Sequence, residues 1–359
     1  MDMVEFGVEK LLKDESFVKL ERIREKGKEI RKALSGKRVF IASHTNPDGD
    51  AIGSAAGFYS LLSAAKEQGK LDLEIEFWVP GFNGGVLFGK MEELGLEMTK
   101  NPLEALRWAE VVVVLDTPVP KLAFYQSREF EGLDIEKVLS DKFLIVIDHH
   151  IDGNLEGNIT LRELFSSTCE IVTWLHLLAF DDVALTERES FFLQVGSFTD
   201  TGSFQFDYVE ETAFVAMAFL TKILKPSSVA RCVFWSDRDE KFELKKSYYG
   251  KVDFTADGKL AILIADETMV ELMNNLEKVE VEDIVNEALR LKDVEAVLFA
   301  YPVENGKFKV SLRAKTARVN EVAREFGGGG HVRAAGCVLD EELLPQLIEK
   351  MQALVEKEV

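Results

Sequence analysis

The chain has 359 residues, 47% of them apolar and 30% charged, and 43 Lys+Arg against 63 Asp+Glu give a formal net charge of −20. That length exceeds one compact core and predicts two domains, while the acidity disfavours a general binder of long duplex DNA, whose phosphates it would repel. No apolar run approaches the roughly 18 residues of a membrane span, the N-terminus has acidic residues where a signal peptide has basic ones, and the three cysteines are scattered. A cytoplasmic protein with no membrane partner is expected.

Residues 1–37 place apolar side chains at helical spacing (Leu11, Leu12, Phe17, Leu20, Ile23, Ile30, Leu34) and close on Gly36. They predict an N-terminal helical extension lying on the first domain. From residue 38 short apolar strands alternate with helices. The strands are expected at 39–43, 74–79, 111–115 and 143–147, the helices at 51–68, 102–109, 168–179, 186–195 and 210–224. Strands apolar throughout are the mark of a parallel sheet buried on both faces. The pattern therefore predicts an α/β, doubly wound, mainly parallel sheet over 38–225. Pro226 ends the last helix, and 226–250 reads as a linker. A smaller α/β domain is expected over 251–359. In it a hairpin, 296–303 and 307–313, turns through Glu304-Asn305-Gly306-Lys307, where Asn-Gly supplies positive φ. A helix at 320–326 then meets four glycines and a strand at 337–339.

The polar residues that follow the buried strands carry the chemistry. The first strand ends in His44-Thr45-Asn46-Pro47-Asp48-Gly49-Asp50, the third in Asp116, and the fourth in Asp148-His149-His150. Asp200 lies in a glycine-flanked stretch, Gly196 to Gly202, expected as a loop closing a helix. In open α/β sheets ligands bind beyond the carboxyl ends of the strands, so these groups converge on one crevice. Carboxylates crowded there would repel one another unless cations neutralise them. Asp and His ligands without thiolate suit Mn²⁺, with Mg²⁺ or Fe²⁺ as alternatives, better than structural zinc. So many ligands suggest two ions, a clamp for in-line phosphoryl displacement. Taken singly, Asn-Pro-Asp-Gly-Asp is also just what a turn needs. His176, on an apolar helical face, reads as a core residue.

These residues resemble the DHH phosphoesterase superfamily. His44-Thr-Asn-Pro-Asp-Gly-Asp-Ala-Ile-Gly-Ser54 is similar to its first motif, Asp116 to the second, Asp148-His149-His150 to the motif that names it, and Thr199-Asp200-Thr-Gly202 to the last. Gly327-Gly-Gly-Gly-His331-Val-Arg-Ala-Ala-Gly336 resembles the signature of the DHH-associated C-terminal domain. The resemblance implies one ion held by His44, Asp48, Asp116 and Asp200, and another by Asp50, Asp116, His149 and Asp200. It implies that His150 faces the substrate phosphate while Asp148 orients the pair from behind. Ser167-Thr-Cys-Glu170 also resembles a family stretch, but Ser-x-x-Glu before an apolar run is first a helix cap.

In the second domain Gly328, Gly329 and Gly330 allow close backbone approach to an anion, and His331 follows them. Between Lys307 and Arg333 lie seven basic and two acidic residues, a local excess inside an acidic chain. The resemblance places a substrate-binding arginine at Arg313, and Ala314 departs from the serine often found next. It also implies an active site in the cleft between the domains, and a homodimer. A hydrolase of short oligoribonucleotides or of linear or cyclic dinucleotides (pApA-like, cyclic di-AMP-like) is favoured, with 3′-phosphoadenosine 5′-phosphate as a further substrate. A RecJ-like single-strand exonuclease, an inorganic pyrophosphatase or polyphosphatase, and a non-catalytic nucleotide sensor are the alternatives.

Overall fold

The computed structural model describes residues 14–358, apart from 46, 83, 277–280, 282–283 and 304–305. Leu11, Leu12, Asn46 and the Glu304-Asn305 half of the hairpin turn thus lie outside the described residues, as does the side chain of His331. The chain forms two compact units that divide after Ser236. Among the described residues no helix is long and apolar enough to cross a membrane.

The first unit runs α1 (Asp14–Leu34), β1 (Lys37–Ala42), α2 (Gly49–Glu67), β2 (Leu73–Trp78), α3 (Gly85–Glu93), α4 (Pro102–Trp108), β3 (Val111–Leu115), α5 (Ile135–Leu139), β4 (Phe143–Asp148), β5 (Ile159–Arg162), α6 (Thr168–Ala179), α7 (Glu187–Asp200), α8 (Glu211–Leu220) and α9 (Pro226–Val233). Its five strands pair in parallel in the order β2-β1-β3-β4-β5. Alternation sends their side chains into two separate cores. Val39, Ile41, Val111, Val113, Ile145 and Ile147 enter one, which also takes the buried residues of α1, α2, α6 and α7. Phe40, Ala42, Val112, Val114 and Val146 enter the other, with Leu106, Phe124 and Phe130. This is a doubly wound sheet. Its strand order reverses at β1, so the loops that leave β1 and β3 diverge and open a crevice at their carboxyl ends.

Three local expectations are corrected. α7 does not stop at 195 but continues to Asp200, so that residue ends a helix rather than sitting in a loop. Gly196 within it is a packing glycine, because a Cβ there would stand 2.3 Å from the Cys169 sulfur. β5, four residues with Ile159 and Leu161 turned inward, was not foreseen. The stretch read as a linker is two helices, α9 and α10 (Asp239–Lys251). The preceding helix already ends at Leu220, and Pro226 instead occupies the first turn of α9, where its missing N–H costs nothing. α10 anchors through the buried Leu244 and Tyr248.

The second unit is a six-stranded sheet in the order β10-β11-β9-β8-β7-β6. Its strands are β6 (Asp253–Thr255), β7 (Leu260–Ile264), β8 (Ala296–Val303), β9 (Lys307–Ala314), β10 (Gly329–His331) and β11 (Ala334–Asp340). Only β7 and β8 run parallel; the rest pair antiparallel. Along β9, Val310, Leu312 and Ala314 turn into a core shared with the helix Leu344–Glu358. Lys309, Ser311 and Arg313 therefore share the opposite face. On that face α10 and α11 (Glu267–Asn274) pack over Val297 and Phe299.

Candidate metal centre

Asp116 is the hub. It follows β3 with a left-handed backbone, φ 51°, and its N–H donates to the Ile147 carbonyl at 2.9 Å. Asp is one of the few residues that accept this conformation, and the sharp turn directs a carboxylate only 1% exposed into the crevice. Its Oδ2 faces His44 Nε2 at 3.6 Å, and its Oδ1 faces His149 Nε2 at 3.7 Å and His150 Nδ1 at 3.5 Å. The hydroxyl of Thr168 donates to Oδ1 at 3.0 Å.

Around it the donor atoms gather in three overlapping groups, each within 4.8 Å: His44, Asp48 and Asp116; Asp50, His149 and Asp200; and Asp116, His149 and His150. Asp200, expected in both ligand sets, is grouped with Asp50 and His149. Both outer histidines are oriented by main-chain carbonyls. His44 Nδ1 bonds Thr45 O at 2.8 Å, and His149 Nδ1 bonds Phe165 O at 3.2 Å. A carbonyl on Nδ1 fixes the tautomer that turns the Nε2 lone pair toward the carboxylates. Asp48 caps α2, accepting the N–H groups of Asp50 and Ala51 at 3.1 and 3.0 Å through Oδ1. Asp50 is 1% exposed and accepts the Thr168 and Cys169 N–H groups at 2.7 and 3.0 Å. The first turn of α6 thus grips the carboxylate, a favourable placement for negative charge.

Asp148 Oδ1 accepts from His150, from the main-chain N–H at 3.1 Å and from Nδ1 at 2.8 Å, and, despite burial, its charge also raises the His149 imidazole. Its fully buried Oδ2 faces Arg162 Nε at 3.6 Å from the adjoining strand β5. Ser167 caps α6, accepting the Glu170 N–H at 3.0 Å, while the Glu170 carboxylate turns back to Ser166. His176 is a buried structural residue between Glu189 and the Val183 carbonyl.

Four contacts had no sequence signal strong enough to find them. Thr168 was hidden behind the cap reading. Arg162 stands on a strand too short to recognise. The Phe165 contact is made by main chain. The Tyr208 hydroxyl donates to the Asp200 carbonyl, from a residue eight positions on in an irregular loop.

Crowding and burial set the electrostatics of these groups. Burial and then the neighbouring Asp116 charge push Asp50 up to about 7. Burial, with Asp50, Asp48 and Asp116 beside it, lifts Asp200 well above the carboxylate range. For His44 burial opposes the charged form, but Asp116 and Asp48 outweigh it and raise the imidazole to about 9. Burial would also lift Asp116, yet His44, His150 and His149 hold it low. Two carboxylates whose ionised form is disfavoured, beside imidazoles aimed by carbonyls, fit a divalent cation: its charge removes the repulsion, and oxygen and imidazole donors without thiolate suit a hard or borderline ion.

In the second unit Arg313 pairs across β11 with Ala334, which in turn pairs with His331 of β10. The glycine run leads into a strand, with Gly329 and Gly330 opening β10. A Cβ on Gly328 would lie 2.1 Å from the Gly336 carbonyl oxygen, and Gly330 has φ 135°. Gly329 borders open space. Two of the three glycines therefore serve backbone packing, and only Gly329 presents an uncrowded surface.

Residues 38–191 match the DHH family N-terminal domain and residues 265–357 the DHHA1 domain. The chain is 28% identical to the bifunctional oligoribonuclease and PAP phosphatase NrnA of Thermus thermophilus, over 92% of this chain and 93% of that protein. It is 24% identical to a probable protein of the same name from Streptococcus mutans, over 83% and 88%. An exopolyphosphatase-related protein from Bacteroides fragilis shares the fold with a TM-score of 0.76 at 23% identity, over 92% of this chain and 98% of that one. Motifs, fold and both domain matches agree: the chain belongs to the DHH superfamily of phosphoester hydrolases and carries a C-terminal DHHA1 domain.

Proposed function

We propose that the chain is a metal-dependent phosphodiesterase that cleaves short oligoribonucleotides, or linear or cyclic dinucleotides, to mononucleotides and also takes 3′-phosphoadenosine 5′-phosphate. The observation that carries this reading is the pair of donor groups on either side of Asp116, His44 with Asp48 and Asp50 with His149 and Asp200. The names of the NrnA relatives support the substrate class. In this reading the two groups hold two divalent ions, Mn²⁺ foremost, with Asp116 between them. Bound there, the ions would supply an activated water and neutralise the charge developing on the phosphoryl oxygens.

The protein's own residues do the positioning. His44 and His149 would hold the ions through Nε2, since Thr45 O and Phe165 O fix the rings by Nδ1. His150 is kept in place by Asp148, which is backed by Arg162, and presents its ring to a phosphate oxygen. Arg313, His331 and, of the glycines, Gly329 contribute substrate contacts, with Gly328 and Gly330 packing on either side of it.

One substrate panel with Mn²⁺ tests the reading: pApA, cyclic di-AMP, RNAs of increasing length, 3′-phosphoadenosine 5′-phosphate and pyrophosphate. Turnover should fall steeply beyond a few nucleotides and vanish with EDTA. Processive digestion of long strands, or cleavage of pyrophosphate alone, would replace it with the exonuclease or the pyrophosphatase reading. Arg313→Ala should raise KM about 10- to 100-fold, the worth of one hydrogen bond to a charged group, while metal affinity holds. An unmoved KM for every substrate would remove Arg313 from the site.

A further inference from the structure

His149 and Asp200 share one donor group, each is supported by a neighbouring segment, and α1 reaches both segments. The carbonyl that holds His149 belongs to Phe165, whose ring is buried, and the Lys19 ammonium lies 5.6 Å from the centroid of that ring. The same ammonium donates to Glu210 Oε2 at 2.8 Å. Glu210 immediately precedes α8 and stands two residues after Tyr208, whose hydroxyl holds the Asp200 carbonyl. Three residues on, along the same face of α1, Arg22 meets the Glu163 carboxylate at 3.2 Å, two residues before Phe165. Three residues back, the buried Ser16 hydroxyl donates to Glu211 at 2.8 Å.

The other donor group is anchored differently. Thr45, whose carbonyl holds His44, bonds the Leu122 carbonyl through its N–H at 2.7 Å and its hydroxyl at 3.3 Å. We propose that Lys19 is a positioning residue for the ion held by Asp50, His149 and Asp200, and not for the ion beside His44 and Asp48. Its ammonium ties the Phe165 segment to the start of α8, which keeps His149 Nε2 and Asp200 Oδ2 facing each other at 3.6 Å. Cation–π and ion-pair contacts gain strength as they leave water, and the Lys19 side chain is only 18% exposed. The inference rests on the two-ion reading of the site, and it adds a residue from outside the matched family domain.

The test titrates the metal-free full chain with Mn²⁺ and follows the free ion by electron paramagnetic resonance. The parent should bind two ions. Lys19→Met keeps an apolar stem and removes the charge, and it should weaken one ion about threefold to tenfold while the other binds as before. Glu210→Gln should shift the same ion in the same direction. Lys19→Arg retains the charge and should restore most of the loss. Lys28→Met, at an exposed position of the same helix, should leave both ions unchanged. Paired variants identify the ion: Lys19→Met should still act when combined with His44→Ala and should add nothing to His149→Ala.

Hydrolysis of the fastest substrate in the panel supplies a second measurement. Lys19→Met should need more Mn²⁺ to reach half its maximal rate. At saturating Mn²⁺ its kcat and KM should return to those of the parent, because every metal ligand and substrate contact is intact. Equal weakening of both ions, a loss that Lys19→Arg does not repair, or a kcat that excess Mn²⁺ does not restore would mark a purely structural role and overturn the proposal. So would Mn²⁺ binding identical to that of the parent. A parent that takes up fewer than two ions fails the two-ion reading itself, whereas two ions in the parent and an unaffected Lys19→Met fail this inference alone.

Discussion

Asp116→Asn is expected to abolish phosphodiester hydrolysis and to weaken metal binding on both sides of the residue. Its two oxygens face different histidine sets, Oδ2 toward His44 and Oδ1 toward His149 and His150. One neutral amide therefore removes charge from both donor groups at once. Removing one member of a buried charge assembly costs about 3–5 kcal/mol, which is on the order of 10²- to 10³-fold in affinity. Asn tolerates the left-handed backbone as Asp does, so the circular dichroism of the variant should match the parent. Turnover with Mn²⁺ near that of the parent would sink the shared-hub arrangement.

Gly196→Ala should be strongly damaging to the first unit. The added Cβ would stand 2.3 Å from Cys169 Sγ and 2.5 Å from Asp50 Oδ1, with the Asp50 Cα behind it at 2.9 Å. The sulfur ends a short buried side chain, the carboxylate is held by the Thr168 and Cys169 N–H groups, and the third atom is backbone. Overpacking of this kind costs about 1–3 kcal/mol, a drop of about 2–10 °C in Tm for a unit of this size. The strain falls on the carboxylate that α6 grips, so activity should fall further than stability. Gly89→Ala is the matched control. It lies within α3, has nothing within 4 Å of the added carbon and needs no unusual φ, so it should be neutral or slightly stabilising. If Gly196→Ala melts with the parent and retains activity, α7 does not pack against Asp50 as closely as described.

The sequence made the buried strands legible because β1, β3 and β4 are apolar on both faces, a pattern few other structures share. β5 was illegible for the opposite reason: four residues, alternately buried, at a sheet edge look like any loop with two apolar residues. Around the site, charged and imidazole side chains announced themselves by following strands. Their supports did not. The carbonyls of Thr45 and Phe165 and the N–H groups of Thr168 and Cys169 belong to main chain, which every residue possesses, so no residue type marks them. Gly196 and Pro226 misled for a shared reason: each was read as a helix stop, and each has a packing or initiating role that only neighbouring elements reveal.

The helix α1 shows how far the foundations of the site extend. Its Ile23, Ile30 and Leu34 are fully buried, and a Cβ on Gly27 would meet Ala179 Cβ at 2.7 Å, close against α6. Arg31 latches the far end of α6 through the Ala179 carbonyl at 2.9 Å and Asp182 at 2.6 Å. α6 is the same rod whose opposite end holds Asp50. A fragment begun at residue 38, where the family domain match starts, would keep every motif residue of the first unit and still lack the brace that steadies one of them. Motif boundaries and mechanical boundaries do not coincide in this protein.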